Sequence, residues 1–453
     1  MVSLSGIRYL VLYGKTPCVK DFEGEMRNER LKLCPLTHAN RLALNKYVRY
    51  TVPQAFGPGV PTFGAGDRLG LACGGLLQIL SQSNAKPILA QQSKRELDLT
   101  GRTYDDILDA ATFAVFQQGY QGGFGADGDH LKQKVDIFDA LDCGFSMITL
   151  DCSEKIGKGV DELTDSEAKA LYSRLAPDIR AGLESTYLNK TLTIAATDLI
   201  FSEQELIKNV LIYYDAIQFM IEVYRDCLLK AGREIDFEIS IDETESTTTE
   251  YGHYFVASEL RLAGVRITSL APRFIGEFQK GIDYIGDLEE FERQLRFHAA
   301  ISDFFGYKLS IHSGSDKFSV FPLIARYTKG LLHIKVSGTN WLSAIAAIAE
   351  CSPGLYRAIH ACALLHFEEA RKSYHVSTDL TKIPDLDSIS DSHLIDYLKE
   401  DNARQLLHIT YGYVLKDPAL KSAIYEVLAA TTDIFNARLT DHIRRHLVLL
   451  GLL

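Results

Sequence analysis

The stretch YKLSIHSGSDKFSVFP, residues 307–322, decides the fold prediction. Its first part has apolar and β-prone residues at alternate positions, Tyr307, Leu309 and Ile311, which is typical of a buried strand. A polar, glycine-containing turn follows and begins with His312. In α/β enzymes, reactive side chains lie at the carboxyl ends of parallel strands. We therefore interpret His312 as a candidate functional residue; a histidine that only caps the strand end is the alternative.

Seven other segments repeat this pattern of a short apolar run followed by polar residues. Helical patterns separate these segments from one another. The segments lie at residues 67–73, 87–90, 124, 145–150, 237–241, 265–270 and 331–336. Parallel strands need helical crossovers, and eight such strands over about 270 residues are enough to close into a ring. The sequence therefore predicts an α/β fold, a (β/α)8 TIM-like barrel. An open doubly wound sheet is the alternative.

The regions around this core predict three domains. Residues 1–60 form a predicted N-terminal extension whose end is broken up by prolines. Residues 61–350 form the barrel, with a helical insertion around residues 160–230. Residues 351–453 form a C-terminal helical region, because apolar residues recur there at spacings of three and four.

Composition and charge exclude several classes of function. The net charge of −11 argues against a nucleic-acid partner, which requires a basic surface. No apolar run approaches the ~20 residues of a membrane helix, so we expect no membrane association. The eight cysteines form no CxxC pair, and the N-terminus does not resemble a secretion signal, so we expect a cytoplasmic protein with reduced thiols. A homo-oligomer is one of the assemblies that the sequence allows.

Missing motifs narrow the chemistry further. The sequence contains no GxGxxG after a strand, no GxSxG elbow and no Walker loop, which argues against hydride transfer, acyl transfer and nucleotide hydrolysis. We therefore expect a small-molecule substrate that is handled by side chains at the strand ends.

The third candidate strand ends in GADGDHLK, residues 125–132. Here Asp129 stands beside His130, and a carboxylate next to an imidazole supplies a metal ligand and a neighbouring base. An Asx turn, with His130 capping the following helix, is the alternative.

Polar residues follow the other strand candidates as well. Glu243, after the fifth, is a candidate general acid if its pKa is raised in a partly dry pocket, although a solvated acidic run is equally compatible. Arginine and lysine supply cations for a substrate carboxylate, and small hydroxyl residues with free amides make an anion cradle. The predicted substrate-binding residues are Gln92, Asp151, Arg273, Lys317, Lys335 and Ser337.

The segments DGDHLK, IDETES, RFIG with KGIDYIGD, and IHSGSDKFSVFP together resemble the tagaturonate/fructuronate epimerase family. The resemblance extends from about residue 60 to 350 and into the helical end. It implies a metal-dependent isomerase of keto-uronates, with some members or engineered relatives acting on neutral ketohexoses. It also implies that His130, His312 and Gln279 bind one divalent cation, with Asp129 as base and Glu243 as opposing acid. Zinc, manganese, nickel and cobalt all suit such ligands.

The reaction that the resemblance implies sets requirements of its own. Tagaturonate and fructuronate differ at a hydroxyl-bearing carbon that is not adjacent to the ketone, so simple enolisation does not reach it. We therefore expect retro-aldol cleavage, rotation of the aldehyde and re-addition, with the metal as Lewis acid and carboxyl groups on both sides. The alternatives are direct deprotonation, a neutral ketohexose (fructose/tagatose) 4-epimerase, a class II aldolase-like enzyme, and a non-catalytic sugar-acid-binding barrel.

Overall fold

A computed structural model describes residues 1–4, 7–194, 197–244, 246–336 and 338–453. The chain begins with a four-stranded antiparallel sheet in the order β1-β2-β4-β3, and one helix follows it. These elements are β1 (Val2–Leu4), β2 (Ile7–Tyr13), β3 (Glu25–Asn28), β4 (Leu31–Pro35) and α1 (His38–Tyr47). They occupy the predicted N-terminal extension.

Eight parallel strands close into a barrel surrounded by helices, which confirms the (β/α)8 prediction. The first half consists of β5 (Thr62–Gly64), α2 (Cys73–Leu80), β6 (Lys86–Ser93), α3 (Lys94–Thr100), α4 (Tyr104–Gln118), β7 (Gly125–Leu131), α5 (Lys134–Cys143) and β8 (Met147–Asp151).

An insertion follows β8, as predicted, and it contains more than helices. Its elements are α6 (Asp165–Tyr172), α7 (Pro177–Tyr187), the antiparallel strands β9 (Thr191–Ile194) and β10 (Thr197–Ile200), and α8 (Glu203–Val223). The second half of the barrel is β11 (Asp236–Ile241), α9 (Glu250–Leu262), β12 (Ser269–Pro272), α10 (Leu288–Phe305), β13 (Lys308–Ile311), α11 (Phe321–Thr328), β14 (Leu332–Lys335) and α12 (Thr339–Cys351). The barrel closes in the order β5-β6-β7-β8-β11-β12-β13-β14.

The C-terminal helices pack on one side of the barrel. They are α13 (Pro353–Ala370), α14 (Asp401–Ile409), α15 (Tyr411–Lys416), α16 (Pro418–Ala430) and α17 (Thr432–Leu449). Helix α17 packs against α2 and α12, and α15 packs against α3. Helices α16 and α17 meet at Thr431. The division of the chain into three domains stays a prediction.

One strand prediction was wrong. Residues 67–73 are a loop and the start of α2, and the first barrel strand is β5. The Asp67 carboxylate accepts hydrogen bonds from the backbone N–H groups of Leu69, Gly70 and Ala72, at 3.1, 2.8 and 2.6 Å. These bonds fold the apolar run into a turn, so its side chains become buried without forming a strand.

None of the helices in the described part of the chain combines the length and the apolar character needed to cross a bilayer.

Candidate active site

A cavity of about 430 Å³ opens at the carboxyl ends of the barrel strands. Side chains at the ends of β6, β7, β8, β11, β13 and β14 line it, together with the loop after β12 and residues of the C-terminal region. This is the end of the barrel at which enzymes of this fold place their chemistry. The cavity is large enough for a six-carbon sugar acid and is strongly polar.

Two histidines and an aspartate meet in this cavity. Ligand atoms of His130, Asp242 and His312 all lie within 4.8 Å of one another. Asp242 Oδ1 lies 3.2 Å from His312 Nδ1 and 4.0 Å from His130 Nε2. The sequence interpretation expected His130 and His312 to share a site, and the structure brings their ring centroids to 4.8 Å.

In each of the two imidazoles, the ring nitrogen farther from Asp242 (the outer nitrogen) is bonded to another carboxylate. His130 Nδ1 lies 2.8 Å from Asp129 Oδ1, and His312 Nε2 lies 2.7 Å from Glu238 Oε1. Metal-binding histidines characteristically donate their second N–H to a carboxylate, which fixes the tautomer and the ring orientation. The remaining nitrogens, His130 Nε2 and His312 Nδ1, therefore present lone pairs beside Asp242. This donor set fits a divalent transition metal.

The backbone at the ends of β7 and β13 aims these residues. His130 has a φ of 53° and lies at an irregularity in the pairing of β7 with β8, and Ser313 has a φ of 49°. Left-handed backbone at a residue other than glycine costs of order 1 kcal/mol or more and concentrates at active sites and ligand clamps. The irregular end of β7 thus turns the His130 ring towards the cavity.

A buried lysine lies beneath the group. Lys335 Nζ lies 2.8 Å from Asp127, 2.5 Å from Asp129 and 3.0 Å from Glu238. Burial alone lowers the pKa of Lys335, but the three carboxylates outweigh it and raise the pKa well above its usual value. Burial likewise raises the pKa of Asp129 and Glu238, and their cationic partners, Lys335 first, reverse this and lower it. These carboxylates are therefore charged at neutral pH.

The same balance governs the two histidines. Burial lowers the pKa of His312, but Asp242 and Glu238 raise it to about 10 overall. The pKa of His130 is also raised against burial, chiefly by Asp129. The carboxylates around the imidazoles thus favour positive charge at this point, whether it comes from protons or from a metal ion.

Gln279, the third ligand implied by the resemblance, lines an adjoining cavity together with His312 and Asp242, and its role as a ligand stays a prediction. Its side-chain oxygen accepts hydrogen bonds from Ser377 N at 2.8 Å and from Gln405 Nε2 at 2.9 Å. Both partners belong to the C-terminal region, so Gln279 ties a barrel loop to that region. Asp242 is a further candidate donor beside the two histidines.

The two predicted catalytic carboxylates line the cavity in different settings. Asp129 is buried, and its bonds to His130 and Lys335 are both made by one oxygen, Oδ1. Glu243 is exposed at the rim, directly after Asp242.

Of the predicted substrate-binding residues, Asp151 and Lys335 line the cavity. Asp151 is buried; its Oδ1 accepts from Ser153 N at 2.8 Å, whereas its Oδ2 has no hydrogen-bond partner among the described residues and lies 3.4 Å from Lys132 Nζ. Lys335 is held by three carboxylates, and its predicted role as a clamp for a substrate carboxylate stays a prediction. Ser337 lies outside the described residues.

The other three predicted substrate-binding residues make contacts within the protein, and their role in substrate binding stays a prediction. Gln92 donates to Asp67 O at 3.1 Å, on the face of β6 opposite to its neighbour. The Lys317 ammonium is fully buried and donates to three backbone carbonyls. Arg273 donates to Thr244 O and lines an adjoining cavity of about 290 Å³.

The predicted site residues left out four that line the cavity, Gln91, Asp242, Lys280 and His408, and also Glu238, which bonds His312. Glu238 carried a usable signal, because a carboxylate inside the buried run FEISI is costly unless it is paired. Gln91 carried one too, since it alternates with Gln92 along the strand. Its amide is buried without a partner among the described residues, and a Cβ on Gly64 would lie 1.8 Å from its oxygen. A side chain at position 64 would therefore displace the amide of Gln91 from this position.

The barrel and its cavity define the class of protein: a (β/α)8 enzyme with a polar, carboxylate-rich site at the strand ends. Comparison with known proteins then gives the family. The sequence model described as UxaE, tagaturonate epimerase, matches residues 4–450. The chain belongs to this family of carbohydrate epimerases, which are isomerases, and the resemblance seen in the sequence is confirmed.

Individual relatives agree with this assignment. The tagaturonate/fructuronate epimerase of Thermotoga maritima is 42% identical over 447 residues, which cover 98% of this chain and 92% of the relative. The native crystal structure of the fructuronate-tagaturonate epimerase UxaE from Cohnella laeviribosi is similar with a TM-score of 0.97 and 50% identity, covering 100% of this chain and 93% of that one. A glycerol complex of the same protein matches equally well.

Proposed function

We propose that this protein interconverts D-tagaturonate and D-fructuronate with the help of one divalent cation. The reaction is the one named for its relatives, at 42% and 50% identity over nearly the whole chain. The observation that supports a metal is the group of His130, Asp242 and His312. Asp129 bonds His130 Nδ1 and Glu238 bonds His312 Nε2. Such a cation supplies Lewis-acid stabilisation of the charge that develops on the ketone oxygen.

The position of the inverted carbon dictates the mechanism that we propose. Its C–H bond is not adjacent to the ketone, so removal of that proton gives a carbanion with no carbonyl to delocalise it. Retro-aldol cleavage avoids this cost. A carboxylate accepts the hydroxyl proton, the C–C bond on the ketone side breaks, and its electron pair passes into an enolate. The aldehyde fragment rotates, the bond forms again on its other face, and the proton returns to oxygen.

Asp151 and Glu243 are the proton carriers in this proposal. Asp151 Oδ2 is buried at the cavity without a hydrogen-bond partner among the described residues, so it is available to a substrate hydroxyl. Glu243, exposed at the rim, exchanges protons with solvent. Asp129 orients His130 through Oδ1, which also bonds Lys335, and its role as the base, which the resemblance implies, stays a prediction.

Proton NMR of D-fructuronate in heavy water tests the mechanism. Retro-aldol chemistry predicts that tagaturonate forms without deuterium at the inverted carbon, since the C–H bond there never breaks. Deuterium at that carbon would replace the proposal with direct deprotonation. A protein that produces no tagaturonate in the presence of Mn²⁺, Zn²⁺, Ni²⁺ or Co²⁺ would contradict the proposed function itself.

A further inference from the structure

Another part of the cavity wall carries cations instead of carboxylates. Lys280, Arg95, Lys94 and Arg68 all line the cavity. Arg68 is neutralised, because its guanidinium lies 2.9 Å from Glu96. Lys94 and Arg95 are exposed, and Arg95 lies over the ring of Tyr374. Lys280 is the partly buried cation of this set that makes no ion pair with a carboxylate among the described residues.

The surroundings of Lys280 disfavour an unaccompanied charge. Its Nζ donates to Ser313 Oγ at 2.8 Å, which is a neutral acceptor. Lys280 is partly buried, and Arg95 adds a second positive charge to the same cavity wall. An anion bound in the cavity would relieve both effects, because it would pair with the ammonium where water does not reach it fully.

His408 lies close to Lys280 and comes from the C-terminal region. It is 1% exposed and lines the cavity, and neither ring nitrogen has a hydrogen-bond partner within the described ranges. Its ring approaches the backbone so closely that a Cβ on Gly338 would lie 2.0 Å from Nε2, and one on Gly281 would lie 3.1 Å from Nδ1. A buried imidazole without a partner is destabilising, and a bound ligand or water recovers the lost hydrogen bonds.

The loop that carries Lys280 is fixed from both sides. Lys317 Nζ donates to Gln279 O at 2.8 Å and to Ile282 O at 2.6 Å, and Arg404 Nε donates to Gly281 O at 2.7 Å. The backbone on each side of Lys280 is therefore bonded by a cationic side chain. A binding group held on such a rigid segment loses little entropy when a ligand arrives.

We propose that Lys280 and His408 bind the carboxylate end of the substrate, with Lys280 supplying the charge and His408 a hydrogen bond from its neutral ring. This subsite rests on the proposed function, since it assigns one end of the keto-uronate to residues of the same cavity. It makes Lys280 the residue that selects a sugar acid over the corresponding neutral sugar. It also gives the C-terminal region a direct part in the site, through His408.

Competition by two unreactive ligands tests the subsite. Galactonate and galactitol differ only in a carboxylate replacing a hydroxymethyl group, and neither has a ketone, so neither is epimerised. Their dissociation constants are measured by calorimetry for wild type, Lys280→Met and the exposed control Lys382→Met. We expect Lys280→Met to raise the dissociation constant of galactonate by about 30- to 300-fold and that of galactitol by less than about threefold. The Lys382→Met control should bind both ligands as wild type does.

His408→Phe keeps the ring volume without its nitrogens, and His366→Phe on α13 is its control. We expect about a tenfold loss of galactonate binding for His408→Phe, none for the control, and unchanged Mn²⁺ binding in both. Equal loss of both ligands in Lys280→Met, unchanged galactonate binding, or a wild type with no preference for the acid would overturn the subsite. Conversion of fructuronate by wild type is measured separately, so failure of the proposed function is seen independently.

Discussion

Two clusters in this protein have the same composition and different character. His130, Asp242 and His312 form one, and Asp316, His442 and His446 form the other. In each, two imidazoles and a carboxylate bring their ligand atoms within 4.8 Å of one another. By residue type and distance alone, both are candidate metal sites.

Hydrogen bonding separates the two. In the second cluster, His446 Nδ1 donates to His442 O at 2.9 Å, and His446 Nε2 accepts from the backbone N–H of Asp316 at 3.1 Å. Both nitrogens of His446 are therefore occupied. The Asp316 carboxylate is bonded by Arg404 at 2.6 Å, a cation that repels a metal ion. This cluster instead ties α17 to the loop that follows His312.

In the first cluster, Asp129 and Glu238 bond the ring nitrogens farther from Asp242, and the nearer nitrogens face Asp242, which is itself a member of the cluster. The comparison teaches that the partner of the far nitrogen, more than the presence of two histidines, makes a site able to bind a metal.

The largest effect that sharpens this comparison is expected at His312. His312→Ala removes a ligand and should lower kcat/KM for fructuronate by at least about a thousandfold, because the ketone loses its Lewis acid. The same change at the exposed His393 is the control and should leave kcat/KM unchanged. Residual activity above about a tenth of wild type would remove His312 from the metal site.

A smaller effect is expected where the carboxylate acts through a histidine. Glu238→Gln keeps the size of the side chain but weakens its bond to His312 Nε2, so Mn²⁺ affinity should fall by about 10- to 100-fold. Competition with a fluorescent chelator measures it, and Glu350→Gln at a surface ion pair is the control. Wild-type affinity in Glu238→Gln would show that the pairing does not tune the site.

The second cluster should appear in the dependence of stability on pH. Burial lowers the pKa of His446 from 6.5 to about 3. Below pH 6.5 the unfolded chain therefore binds a proton that the folded chain excludes, so the free energy of unfolding falls as the pH falls from 6.5 towards 3. The slope for one group is up to about 1.4 kcal/mol per pH unit.

His446→Gln retains an acceptor for the Asp316 N–H and does not titrate. Its free energy of unfolding should therefore fall less steeply with acid than that of the wild type, by the slope expected for one group. Urea unfolding at a series of pH values measures the difference, and the other buried histidines are common to both proteins. His393→Gln, at an exposed position, should follow the wild type. Parallel curves for wild type and His446→Gln would contradict the assignment.

The smallest effect is expected at Arg273. Its guanidinium donates to Thr244 O and lines the adjoining cavity, so it is not placed to hold the substrate carboxylate. Arg273→Ala should change KM for fructuronate by less than about threefold, well below the effect expected for Lys280→Met. A loss of a hundredfold in steady-state kinetics would return Arg273 to the predicted substrate-binding set.

The sequence predicted the features that depend on local pattern. Seven of the eight strand positions, and the placement of His130 and His312 at strand ends, follow from apolar runs that stop at polar residues. The strand predicted at residues 67–73 was wrong, because the Asp67 side chain accepts hydrogen bonds from three backbone amides and folds this segment into a turn. A pattern of apolar residues does not reveal such bonds.

Side-chain destinations depended on distant partners and were harder to predict. Gln91 and Gln92 are the same residue type, and neighbouring residues of a strand point to opposite faces. A shift of one residue in the predicted strand therefore decides which glutamine points into the cavity. Lys317 looked like a free cation because the carbonyls that bind it come from another loop. His408 lies on a helix whose apolar face can be predicted from the sequence pattern. Its position at the cavity depends on how the C-terminal region packs, which the pattern does not predict.

The central claim is that one divalent ion binds at His130, Asp242 and His312 and none at the cluster of similar composition. Chelator-stripped wild type, His312→Ala and His446→Gln are titrated with Mn²⁺, and the stoichiometry of binding is measured by calorimetry. We predict one equivalent for wild type and for His446→Gln, and none for His312→Ala. Full binding by His312→Ala together with none by His446→Gln would contradict this account and move the metal to the other cluster.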